Sequence, residues 1–116
     1  MNHVIFNGTP SLPHTFDYTP QCDSQMMLYF SGTGWTSNAP SKIGLELLIN
    51  DTVVASTFVW CNASADHQSM HAALVPYTFP LIVDESTHTV KPVTITIRAI
   101  AGTNFDVNDY VTVACF

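Results

Sequence analysis

Charge is what this sequence has least of: Asp, Glu, Lys and Arg make up 10% of its 116 residues, against roughly 25% in an average soluble domain. Only Lys42, Lys91 and Arg98 are permanent cations and the net charge is −6, so there is almost nothing with which to displace counterions from a phosphate backbone. A nucleic acid partner is not expected, and neither is docking on an anionic membrane surface. No run of about 18 apolar residues is present to span a bilayer. The first twelve residues, Met1 to Leu12, lack both the basic segment and the continuous apolar segment of a secretory signal. The reading is a soluble chain, cytoplasmic at synthesis, whether it is later released or built into a particle. Cysteine is scarce too. Cys22, Cys61 and Cys115 match no zinc spacing and cannot all pair within one chain. Reduced thiols in or near a core are expected, the alternative being one disulfide with a thiol left over. Without a signal for export, the sequons at Asn7, Asn50 and Asn62 read as chance matches.

Helical periodicity is absent as well, and what replaces it is alternation with a period of two between turn residues, the mark of half-buried antiparallel strands. Strands are expected at Val4 to Phe6 and Thr15 to Thr19, with the two prolines of Gly8 to Pro13 forming a loop between them. The run Gln25 to Phe30 continues to Trp35 through Gly32 and Gly34, which suggest a bulge or a close backbone approach. From Lys42, Ile43, Leu45, Leu47 and Ile49 face one way and Gly44, Glu46 and Leu48 the other. Asn50-Asp51 then turns the chain into a partner strand, Thr52 to Trp60, since both residues tolerate left-handed backbone angles. Cys61 to Met70 reads as a long exposed loop, and Ala72 to Val83 as strand that Pro76 and Pro80 either hold to a sheet edge or break. After a turn at Asp84 to Thr87, a long strand is expected over Thr89 to Ile100, a loop over Gly102 to Asn108 and a last strand over Asp109 to Phe116. About eight strands without a helix, in a chain long enough to bury one core, predict a single domain over residues 1–116, an antiparallel β-sandwich, with a small barrel as the alternative closure. A chain so short of charge is also expected to cover part of its surface with copies of itself.

Gly44 to Val54, then Asn62 with His71 to Pro76, then His88 to Val90 with Thr94 to Ala99, and finally Asp106 to Tyr110 carry a resemblance. In this order they resemble the trimeric jelly-roll heads of the C1q and tumour-necrosis-factor type found in bacterial and phage fibre-like proteins. The resemblance covers about two thirds of the chain, and it implies a jelly-roll sandwich, a homotrimer and a recognition role. The chain departs from the pattern in carrying no collagen-like or coiled-coil stalk, and in a longer Thr87 to Val93 segment.

Several residues could carry that role. Asp106, Asn108 and Asp109 put three oxygen-bearing side chains in four residues. Hard cations such as calcium ask for such oxygens, although Asn and Asp also form turns in their own right. His67 and His71 stand four apart with Asp66 and Asn62 nearby, but no third strong ligand follows at a recognisable spacing. Trp60, at the end of a strand before a polar loop, is the first aromatic to consider as a platform for a sugar face, and Trp35 the second. The expected ligand-binding set is therefore Trp60, His71, Asp106, Asn108, Asp109 and Trp35, with no obligatory cofactor. No nucleophile elbow, zinc-protease helix or phosphate loop is present, so catalysis is not expected. Two roles follow: a trimeric module that binds a cell-surface glycan or similar polar ligand, or a structural protein of a virion or particle whose partner is other protein.

Overall fold

The computed structural model describes residues 3–21 and 24–116, none of which lies in a helix. Accordingly, among the described residues no helix is long and apolar enough to cross a membrane. Cys22, one of the three thiols of the sequence reading, lies outside the described residues. Among the described residues eleven strands follow one another: β1 (His3–Gly8), β2 (His14–Tyr18), β3 (Met26–Gly34), β4 (Ser41–Ile49), β5 (Thr52–Cys61), β6 (Gln68–Ser69), β7 (Ala73–Tyr77), β8 (Val83–Asp84), β9 (Thr89–Val90), β10 (Val93–Ala99) and β11 (Val111–Cys115). The eight longer ones form two antiparallel sheets. The first has the order β1-β11-β3-β7, with the short β6 taking over the edge of β3 beyond β7; the second has the order β2-β10-β4-β5. The short β8 and β9 make a separate two-stranded ladder.

Alternation explains the core. Leu28 and Phe30 of β3 with Val111 and Val113 of β11 point inward from the first sheet, and meet Ile43, Leu45, Leu47, Ile95 and Ile97 of the second, all buried. Their partners one residue away, such as Thr94, Thr96 and Thr112, are half-buried. Cys61 and Cys115 are both buried, as expected of thiols at inward strand positions.

The expected strands form with physical refinements, and the Ala72 to Val83 run breaks, being strand only over Ala73–Tyr77 and Val83–Asp84. Gly32 and Gly34 mark close approach rather than a bulge: a Cβ on Gly32 would stand 2.6 Å from Leu45 Cδ1, and one on Gly34 2.8 Å from Met70 Cε. The bulges lie instead between Val4 and Phe6 and between Leu47 and Leu48 in the ladder registers. The long strand expected from Thr89 is broken at Lys91-Pro92, because proline has no N–H for the ladder; Thr89–Val90 pairs with β8 and the sheet strand starts at Val93. The long loop after Cys61 is not wholly exposed, since Gln68–Ser69 pairs with Thr33 and Gly34 and Met70 is buried. The Asn50-Asp51 turn is as expected, with φ of 49° and 65°, both left-handed, and Asn50 Oδ1 accepts the Thr94 backbone N–H at 3.0 Å.

Candidate functional site

The six residues expected to bind ligand fall into two groups. The first is assembled from the ends of three separate segments. Trp35, just beyond β3, forms an isolated bridge with Asn104, exchanging backbone hydrogen bonds of 3.0 and 2.7 Å. This brings the last loop, which carries Asp106, Asn108 and Asp109, beside the end of β3. Asp109 is 1% exposed, and a carboxylate so deeply buried needs donors around it. It has them. Oδ1 accepts the Thr33 hydroxyl at 2.9 Å and stands 2.7 Å from His67 Nδ1, while Oδ2 accepts the Asp106 backbone N–H at 2.9 Å. Thr33 in turn accepts the Tyr110 backbone N–H, and Asp106 Oδ1 accepts that of Asn108.

His67 was weighed in the sequence only for its spacing to His71, yet it is His67 that joins this group. Its side chain is one-third exposed, its ring lies 5.8 Å from that of Trp35, and its Nε2 is 3.9 Å from Asp106 Oδ2. The hydrogen bond that His67 makes to Asp109 raises the His67 pKa above the ordinary histidine value; burial opposes that, and the charges of Asp109, Asp106 and Asp66 reinforce it. No sequence spacing signals this pairing, because 42 residues separate the partners.

His67, Asp106 and Asp109 offer atoms within 4.8 Å of one another that could ligate a cation. Calcium suits them poorly, since it takes six to eight oxygens and both oxygens of Asp109 already accept protein donors. A carboxylate holding an imidazole is also the base half of a hydrolytic triad, but among the described residues no hydroxyl or thiol hydrogen-bonds to His67. The arrangement is suited to tying two loops to β3. Asn108 contributes its backbone to the turn and its side chain is exposed.

The second group lies on the outer face of β5, the edge strand of its sheet. Phe58 and Trp60, two residues apart, both point outward and are 45% and 57% exposed. The Trp60 indole N–H donates to Asn62 Oδ1 at 2.9 Å, which fixes the edge of the ring and leaves its plane open. His71 reaches the free edge of β5, where its backbone N–H donates to Phe58 O and its carbonyl accepts the Thr57 hydroxyl; its ring stands edge-on to Phe58 at 5.8 Å. From β4, Lys42 pairs with Trp60 in register and holds its ammonium 4.5 Å from the Phe58 ring centre. Trp60 and His71 of the expected set are thus brought together through Phe58. Phe58 and Lys42 were missed, although an aromatic two residues before Trp60 on a strand must share its face.

The outer side of the first sheet is of another kind. Val4, Ala114, Tyr29 and Leu74 form one row across β1, β11, β3 and β7, and Met27 with Pro76 a second. None of these four strands contains Asp, Glu, Lys or Arg, whereas β2, β4 and β10 carry Asp17, Lys42, Glu46 and Arg98. Arg98 and Glu46 face each other across the ladder at 2.9 Å.

No protein-family model matches this chain, and a search of curated proteins finds no match.

Proposed function

We propose that the protein is a non-catalytic recognition module that binds a cell-surface glycan or similar polar ligand on the outer face of β5 and works as a homotrimer. The observation that carries this reading is the exposed pair Phe58 and Trp60, with the Trp60 ring anchored along one edge by Asn62 and free on its plane. A sugar ring presents an apolar C–H face to such a plane and hydroxyls to the polar groups around it. Holding the indole in place beforehand reduces the entropy lost on binding.

Two features support the jelly-roll part of the reading. The longer strands alternate between the sheets in the chain order first, second, first, second, second, first, second, first, and the two sheet orders interleave accordingly. A trimer is supported by the uncharged outer face of the first sheet: a face without charge can be buried against sister copies without desolvating an ion.

The test is a glycan array probed with the wild type and Trp60→Ala, with and without calcium. Binding that disappears in Trp60→Ala while its thermal unfolding curve matches the wild type is the expected result. Uniformly blank arrays would contradict the glycan reading. A particle component is the second reading, favoured by further exposed apolar side chains at Leu81, Ile82 and Val83 around β8, which suit contact with other protein.

A further inference from the structure

The platform on β5 is not electrically neutral. Lys42 is exposed, and among the described residues no carboxylate lies within 4.0 Å of it, whereas Arg98 is paired with Glu46. In a chain of net charge −6 with three permanent cations, one of the three is therefore held uncompensated beside the most exposed tryptophan plane. It is also positioned. The Phe58 ring supports the ammonium at 4.5 Å, and the register sets Lys42 directly across from Trp60, so that cation and indole share one face of a two-stranded ladder. Directly opposed positions on such a ladder have Cβ atoms about 5 Å apart, the scale of a single sugar ring. Gly44, across from Phe58, has no side chain to cover the ring, and a Cβ there would stand 3.2 Å from Phe58 Cβ.

Resting on the glycan reading above, we propose that the ligand is an acidic saccharide, its pyranose ring stacked on Trp60 and its carboxylate at the Lys42 ammonium. An ammonium beside an aromatic face has three donors, and those not turned to the ring are open to a sugar carboxylate. The His71 ring, exposed at the Phe58 edge, borders the same surface. An acidic peptide would also answer the charge, but it offers no flat C–H face for the indole, and the saccharide uses both elements.

The experiment is isothermal titration of the full chain with matched probes: trigalacturonate against its methyl ester, 3′-sialyllactose against lactose, and triglutamate as the peptide arm. At least one acidic sugar should bind more tightly than its neutral counterpart. Lys42→Gln should weaken that acidic sugar about fivefold or more and narrow its margin over the neutral one, while Lys42→Arg retains the preference. Raising the salt to 0.5 M should narrow the gap. Equal binding of acidic and neutral probes, or indifference to Lys42→Gln, would overturn the acidic assignment while leaving the glycan platform intact if Trp60→Ala still abolishes binding. Triglutamate binding as strongly as either sugar would overturn the saccharide. If no sugar binds at all, both the inference and the glycan reading fail.

Discussion

Asp109 is the residue on which one end of the sandwich turns. Its carboxylate, out of reach of water, collects a hydroxyl from β3, an imidazole from the loop after β5 and a backbone N–H from its own loop. Removing it strands those donors, and a buried group left without its partner costs about 1–3 kcal/mol, more when a charge is involved. The His67 pKa is raised in the folded protein by its hydrogen bond to Asp109, so protonation of His67 favours the native state. That contribution is complete below the unfolded histidine pKa of about 6.5 and is lost as pH rises through the higher folded value. Urea unfolding across this range is expected to show the wild type losing stability above about pH 6.5. Asp109→Ala should be about 3 kcal/mol less stable at about pH 6, with that slope reduced but not abolished, since Asp106 and Asp66 still act on His67. A variant that keeps the wild-type slope would show that the His67 bond to Asp109 is not the source. Little of this was legible beforehand. Asp106 to Asp109 stood out by composition, and the turn-forming role weighed for it is the one its hydrogen bonds serve, but the histidine comes from a distant segment brought in by β6.

At the scale of elements, the hairpin β4–β5 shows what a sequence pattern reveals and where it stops. The alternation of Ile43, Leu45, Leu47 and Ile49 and the Asn50-Asp51 turn specify both strands and the inward face. Counting back from a two-residue turn, however, sets Lys42 across from Val59. The extra residue Val54, unpaired between Val53 and Ala55, shifts every later pair by one, and so sets Lys42 across from Trp60. A bulge of this kind has no local signature in a run of β-branched residues, so the cation of the platform stayed invisible while its tryptophan did not. Leu48 departs from simple alternation for a related reason: it adjoins the irregularity and is buried next to Leu47. The hairpin also has a narrow point at Gly44, where a Cβ would meet Thr57 O at 2.6 Å and Ile100 Cδ1 at 3.0 Å. Backbone oxygen cannot move aside as a side-chain tip can. Gly44→Ala is therefore expected to cost about 1–3 kcal/mol in chemical denaturation, and an unchanged midpoint would show that the two strands separate at little cost.

For the whole molecule, the distribution of charge says more than its amount. Four strands of one sheet are free of permanent charge and show rows of apolar side chains on their outer side, while Asp17, Lys42, Glu46, Arg98 and the aromatic platform belong to the other. On the proposed function, this division would give each sheet a different partner, sister copies for the first and ligand for the second. The scarcity of charge in the sequence pointed to self-association, but only the cross-strand registers reveal which surface is uncharged, because a one-residue slip would exchange the two faces. Tyr29, half-buried at the middle of the Val4, Ala114, Tyr29 and Leu74 row, is the position at which a charge should be least tolerated by an assembled face. Sedimentation equilibrium on the wild type and Tyr29→Glu, at matched protein concentrations across the micromolar range, tests this most directly. The expected result is three times the chain mass for the wild type and a shift toward the single-chain mass for Tyr29→Glu at unchanged circular dichroism. A wild type that sediments as one chain at every concentration would contradict the account.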